Sequence, residues 1–145
     1  KEGTLPHGLQ FYRRDGVLFC QLPSGRAIAY ADPQLRPSAT GGTEITYLGM
    51  ETGTRRWARL STWGGKLVEN IVQAVARDCL AESIFRLEKR GYPIVFHVHD
   101  EVILDLAEGI SSAEEVAEIM GEPIGWAPGL LLKAEAYETP FYRKD

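Results

Sequence analysis

Ile94-Val95-Phe96-His97-Val98-His99-Asp100-Glu101-Val102-Ile103-Leu104-Asp105 is an apolar run that climbs to a polar triplet, followed by an apolar run that leads away. A strand, a tight turn and a returning strand is the simplest reading. The turn then projects the His99 imidazole and the adjacent carboxylates of Asp100 and Glu101 from a rigid ladder. Taken alone, the triplet fits an acidic surface turn with a satisfied histidine as well as it fits a ligand site. The helix in front of it separates the two.

That helix is the longest periodic segment of the chain, Lys66 to Arg90. Leu67, Val68, Ile71, Val72, Val75, Cys79, Leu80, Ile84 and Leu87 recur at helical spacing. The stripe is wide and predicts a largely buried helix. Gly91 stops it as a C′ glycine does, with Lys89 and Arg90 complementing its C-terminus. The stripe leaves some polar residues unexplained. Asn70, Gln73 and Arg77 stand at i, i+3, i+7, and Glu69, Gln73 and Arg77 at i, i+4, i+8, so either set lines one face. A solvated face would favour Lys/Glu pairs. Asn, Gln and Arg on a mostly buried helix point instead to a groove that holds a polar ligand. A Gln side chain both donates and accepts, which suits purine N3 or pyrimidine O2 in a minor groove. A solvent-facing stripe is the competing reading.

Upstream, Arg13-Arg14-Asp15-Gly16 is a turn signal, Val17 to Leu22 reads as a strand, Pro23-Ser24-Gly25 as a turn and Arg26 to Tyr30 as the returning strand. Arg26 sits just past that turn, where a long cation reaches outward. Asp32 to Gly42 reads as loop, Glu44 to Met50 as β, and Trp57 to Trp63 as a further short strand. Downstream, Ser111 and Ser112 are N-cap candidates for a helix over Ala113 to Met120, with Glu114 and Glu115 placed for a capping box. Gly121 to Gly129 reads as loop and Leu130 to Tyr137 as a last strand, packed by Tyr137, Phe141 and Tyr142, with an aromatic near the C-terminus lying close to the active site as the alternative. Trp57, Trp63 and Trp126 read as core or loop anchors, with base-stacking platforms as the alternative.

The chain's 145 residues are enough for one domain with a real core. Hydrophobic residues make up 44% and charged residues 25%, which is globular composition and argues against disorder. Two cysteines, Cys20 and Cys79, make neither a disulfide framework nor a Cys-x-x-Cys site, so a reducing, cytoplasmic setting is expected. No apolar run is long enough to span a membrane, so no membrane partner is expected. There is no signal-like start, and Lys1 without an initiator Met suggests a piece of something longer. Net charge is −4, which does not advertise a nucleic-acid binder. Its distribution says more: residues 1–99 hold 13 Lys+Arg against 9 Asp+Glu, and residues 100–145 hold 3 against 11. A polyanion fits the first part, although an ordinary uneven surface fits equally.

Gly64-Gly65-Lys66-Leu67-Val68-Glu69-Asn70-Ile71-Val72-Gln73-Ala74-Val75-Ala76-Arg77-Asp78, followed by His97-Val98-His99-Asp100-Glu101-Val102, resembles the family A DNA polymerases of phage and prophage type. Val98-His99-Asp100-Glu101 matches that family's motif C. Gln73 and Asp78 match the Gln and Asp of the helix before it. Leu22-Pro23-Ser24-Gly25-Arg26 resembles the Gly-Arg turn upstream. Order and spacing agree over nearly the whole chain.

The resemblance implies an α+β fold, an antiparallel sheet packed against helices, with residues 1–145 as the C-terminal part of a polymerase palm. It implies that Asp100 and Glu101 help hold two catalytic magnesium ions, with Glu101 the weaker contributor. It further implies that His99 approaches the primer terminus, that Gln73 reads the minor groove, and that Arg26 contacts the primer–template backbone. The position four residues before Gln73 is commonly Asn in bacterial repair polymerases. Here it is Glu69, with Asn70 beside it, so both are candidates for facing DNA. Arg77 carries no assigned role beyond sharing their face. The chemistry is consistent: two divalent ions about 4 Å apart activate a 3′-hydroxyl and steady a triphosphate, and magnesium takes carboxylate oxygens. The family's other metal-binding aspartate and its fingers helix have no match here. The implied partners are therefore primer–template DNA, dNTP and the remaining N-terminal part of a polymerase, and the chain alone is expected to be inactive.

Two other classes compete. A metal-dependent hydrolase is suggested by His97-x-His99-Asp100, since strand alternation would put both histidines on one face. It needs further ligands, and the remaining histidine, His7, reads as loop. A catalytically silent DNA-binding or assembly module with the palm fold is the non-enzymatic alternative. Self-association through exposed apolar surface is a third expectation.

Overall fold

A computed structural model describes residues 3–4, 8–38 and 41–142. His7 lies outside the described residues. The chain divides into two compact units, Lys1–Val75 and Ala76–Asp145. The division falls inside the helix α1 (Gly64–Lys89).

The first unit is an antiparallel meander of six strands: β1 (Gly3–Thr4), β2 (Gln10–Arg14), β3 (Val17–Gln21), β4 (Ala27–Pro37), β5 (Thr43–Met50) and β6 (Trp57–Thr62). Each neighbour pair is joined locally, so the register follows from the turns. Asp15 (φ 48°) and Gly16 (φ 79°) close the β2–β3 hairpin beyond the Arg14–Val17 pair. An Asp-Gly pair with both φ values positive matches the right-handed twist of the flanking strands. One face carries Phe11, Cys20 and Ile28 in register, and Leu18 opposite Tyr30. Cys20, Leu22 and Tyr30 are its buried centre, covered by Leu67, Ile71, Ala74 and Val75 of α1.

Three expectations are corrected in this unit. Arg13 and Arg14 are not part of the turn, because both lie in strand β2 and only Asp15 and Gly16 close the hairpin. Asp32 to Gly42 is not all loop, because β4 runs on to Pro37. Its ladder passes from Ala31–Leu48 to Gln34–Thr46, leaving Asp32 and Pro33 opposite Tyr47. Asp32 takes φ 42° there. The Asp-Pro signal therefore marks a bulge, which is where a strand tolerates a residue without an N–H. Finally, Trp57 and Trp63 are not core anchors: each is 63% exposed.

The second unit holds the C-terminal part of α1, the hairpin β7 (Ile94–Val98) and β8 (Glu101–Leu104), helix α2 (Ala113–Met120) and extended chain. Cys79, Leu80, Leu87, Ile119 and Ile124 are buried. Helix α1 ends in a Schellman motif: Tyr92 N–H donates to Leu87 O (3.1 Å), Gly91 N–H donates to Glu88 O (2.9 Å), and Gly91 has φ 85°. Ser112 caps α2, its Oγ accepting from Glu115 N–H at 3.2 Å. Glu115 turns its carboxylate to Ser111 Oγ (3.0 Å), so the box is closed by the neighbouring serine. The loop after α2 is held by Arg86, which donates to Glu122 O (2.6 Å) and Pro123 O (2.7 Å).

Two further expectations fail. Leu130 to Tyr137 is not a strand, since it joins no ladder among the described residues. Its composition permits an extended chain, but a strand also needs a partner edge. Helix α1 is not largely buried: Val68, Val72 and Phe85 are exposed, on sides of the helix that no described residue covers. No described helix is long and apolar enough to cross a membrane.

Candidate functional site

His99 and Asp100 form the whole turn between β7 and β8, and Val98 and Glu101 are the last ladder pair. His99 has φ 50°. Positive φ at the first turn position is what a two-residue hairpin needs, and His tolerates it better than a β-branched residue would. Glu101 is thus the first residue of a strand and not part of the turn, which sharpens the three-residue turn expected from sequence.

The register then sorts the side chains. Residues opposite one another share a face, and neighbours along a strand alternate. Phe96, Val98, Glu101 and Ile103 lie on one face, and His97 and Val102 on the other. On the first face Tyr142 packs edge-on against Phe96, with centroids 5.1 Å apart and planes at 78°. Its hydroxyl donates to Glu101 Oε2 at 3.4 Å. Burial, and then the charge of Glu101, raises the Tyr142 hydroxyl above its ordinary range, so it stays a protonated donor. On the second face Arg77 Nη2 lies 3.4 Å from His97 Nε2. Asp100 is exposed and its carboxylate has no partner among the described residues.

This arrangement bears on the histidine-based reading. His99 leaves the ladder in the turn, and His97 lies on the opposite face from Glu101, so alternation does not gather them. Among the described residues no three His, Cys, Asp or Glu side chains are grouped as a metal site requires. At the hairpin tip Asp100 and Glu101 offer adjacent, exposed carboxylate oxygens. That is a donor set suited to magnesium, which keeps several waters and takes its other ligands from elsewhere.

The remaining candidates lie in the first unit. Glu69, Asn70 and Gln73 do not share one face. Gln73 Nε2 donates to Glu69 Oε1 (3.3 Å), and Lys66 Nζ donates to Glu69 Oε2 (3.1 Å), all at exposed positions. Asn70 turns inward, its Nδ2 donating to the Tyr30 hydroxyl at 3.3 Å. Arg26 does not simply reach outward: Nη2 donates to Ala74 O at 2.8 Å, laying its guanidinium on helix α1. Sequence reasoning gave Tyr142 to the packing of the C-terminal strand, with a place near the active site as the alternative for a C-terminal aromatic. Tyr142 stands 41 residues from Glu101 in a tail without a periodic pattern, and only the fold brings the two together.

The chain is 54% identical over 147 aligned residues to a DNA polymerase of Bacillus phage SP02. The match covers 100% of this chain and 22% of that relative, so the chain spans about a fifth of its length. No protein-family model matches the chain, and no solved structure matches it. Over its full length the chain is therefore similar to one part of a phage DNA polymerase.

Proposed function

We propose that the chain is the C-terminal part of the palm of a family A DNA polymerase, acting in template-directed nucleotidyl transfer during DNA replication. The observation that carries this reading is the 54% identity to a phage DNA polymerase, over an alignment that covers the whole chain. Asp100, held out by a two-residue turn, and Glu101, fixed in the strand and steadied by Tyr142, are the chain's magnesium ligands. Two bound magnesium ions supply activation of the primer 3′-hydroxyl and charge compensation of the triphosphate. His99, in the same turn, approaches the primer terminus. Gln73 donates one amide proton to Glu69, which leaves its second amide proton to donate to purine N3 or pyrimidine O2 in the minor groove. Glu69 orients Gln73. Asn70 belongs to the sheet side of the helix, and Arg26 borders the DNA-facing side. Arg77 fixes the His97 side of the hairpin. Primer–template DNA, dNTP and the rest of the polymerase are the partners.

A second reading is favoured by one observation. The described residues assemble no three-ligand cluster, so the chain by itself would bind DNA without catalysing its extension. Template-directed dNTP incorporation tests both. The expected result is no incorporation by the chain alone, and incorporation when it is joined to the preceding part of the phage relative. Asp100→Asn should abolish that restored activity. Full activity of the Asp100→Asn fusion would overturn the assignment.

A further inference from the structure

The β5–β6 hairpin carries an unspent combination of charge and aromatic surface. Met50 and Trp57 form its last cross-strand pair, and they are 57% and 63% exposed. The loop between them is tightly built. Glu51 N–H donates to Arg56 O (2.9 Å), Arg55 N–H donates to Glu51 O (2.8 Å), and Thr54 Oγ1 donates to Glu51 Oε2 (2.6 Å). Glu51, the one acid of the loop, is thus occupied by Thr54. Arg55 and Arg56 are exposed, and their guanidinium groups have no partner among the described residues. A rigid tip thereby presents two uncompensated cations beside an exposed indole.

We infer that the tip formed by Met50, Arg55, Arg56 and Trp57 is a contact for single-stranded DNA, separate from the residues assigned to the primer terminus. The two guanidinium groups fit successive phosphates, and the indole offers a stacking surface that only unstacked bases can reach. An acidic peptide would match the charges but not the exposed indole, whereas a nucleic-acid strand satisfies both. The choice of DNA over RNA rests on the polymerase reading; the contact itself uses neither magnesium nor Asp100.

The test is fluorescence anisotropy of labelled single-stranded, duplex and primer–template DNA with the 145-residue chain across a salt series. Arg55→Gln with Arg56→Gln should weaken single-strand binding and lower the slope of log K against log salt by about 1.4, for two phosphates. Trp57→Ala should weaken it roughly tenfold with the slope unchanged. A variant retaining Trp57 alone (Trp63→Phe, Trp126→Phe) should show its fluorescence quenched by the strand. Unchanged single-strand affinity and slope in the hairpin variants overturn the inference, as does a loss confined to duplex DNA. If those variants bind as wild type while Gln73→Ala loses primer–template binding, the hairpin contact falls and the polymerase reading stands. The reverse pattern supports the hairpin and counts against Gln73.

Discussion

The Asn70 amide donates to the Tyr30 hydroxyl at 3.3 Å, tying helix α1 to the middle of the six-stranded sheet. This bond separates two adjacent residues of one motif. Asn70 belongs to the core of the first unit, and Glu69 belongs to the exposed face with Gln73. Asn70→Ala and Tyr30→Phe should each cost about 1 kcal/mol of stability, with a double mutant costing less than the sum. Denaturant melts of the three variants check this. DNA affinity should be unchanged in Asn70→Ala and reduced in Gln73→Ala.

Alkaline titration gives a second view of the same residue. Burial raises the Tyr30 hydroxyl above its ordinary value of 10.0, against the opposing hydrogen bond from Asn70. A raised folded-state value favours the protonated form. The stability it contributes is present below pH 10.0 and is lost as pH rises through the folded value. Tyr30→Phe should flatten the alkaline limb of a melting-temperature profile.

Acid should act at the bulge of β4. Arg59 is ion-paired to Asp32 and also donates to Asp32 O (3.1 Å), and Gln34 Nε2 donates to Asp32 Oδ2 (2.8 Å). The hydrogen bond from Arg59, and then that from Gln34, hold the Asp32 carboxyl below its ordinary 3.8. A lowered value contributes stability above pH 3.8 that is lost as pH falls through the folded value. Asp32→Asn keeps a residue that accepts positive φ. It should melt earlier at neutral pH and lose less than wild type on acidification.

Tyr142→Phe isolates the positioning of Glu101. The 3.4 Å hydrogen bond is long, so the effect on a joined polymerase should be small. The magnesium concentration for half-maximal incorporation should rise roughly twofold to fivefold, with the melting temperature unchanged. An unchanged magnesium requirement would remove Tyr142 from the site.

Helix α2 depends on its cap. Ser112 Oγ accepts from Glu115 N–H, so Ser112→Ala should cost about 1 kcal/mol. Ser112→Asp should restore most of it, and urea melts followed by circular dichroism check both. Ser111→Ala, which removes only the contact to the Glu115 carboxylate, should cost less.

The elements with local causes were legible in the sequence. The Asp15-Gly16 turn, the α1 stop at Gly91, the Ser112 cap and the His99-Asp100 hairpin all follow from residues within a few positions of one another. Backbone hydrogen bonding and turn chemistry act over that range. The Gln73 helix and the hairpin were singled out together for a different reason, a resemblance to a polymerase family, and the chain as a whole is 54% identical to part of a phage DNA polymerase.

Tertiary structure decided what depends on a distant partner. Asp32-Pro33 reads as a loop until Tyr47 lies opposite and makes it a bulge. Leu130 to Tyr137 reads as a strand, yet no edge among the described residues pairs with it. Trp57 and Trp63 read as anchors until the sheet leaves them in solvent. The same holds at the site: composition alone cannot say that Asn70 turns to Tyr30 while Glu69 holds Gln73, nor that Tyr142 reaches Glu101. Periodicity tells which residues share a face, but what covers that face is set by chain segments far away in sequence.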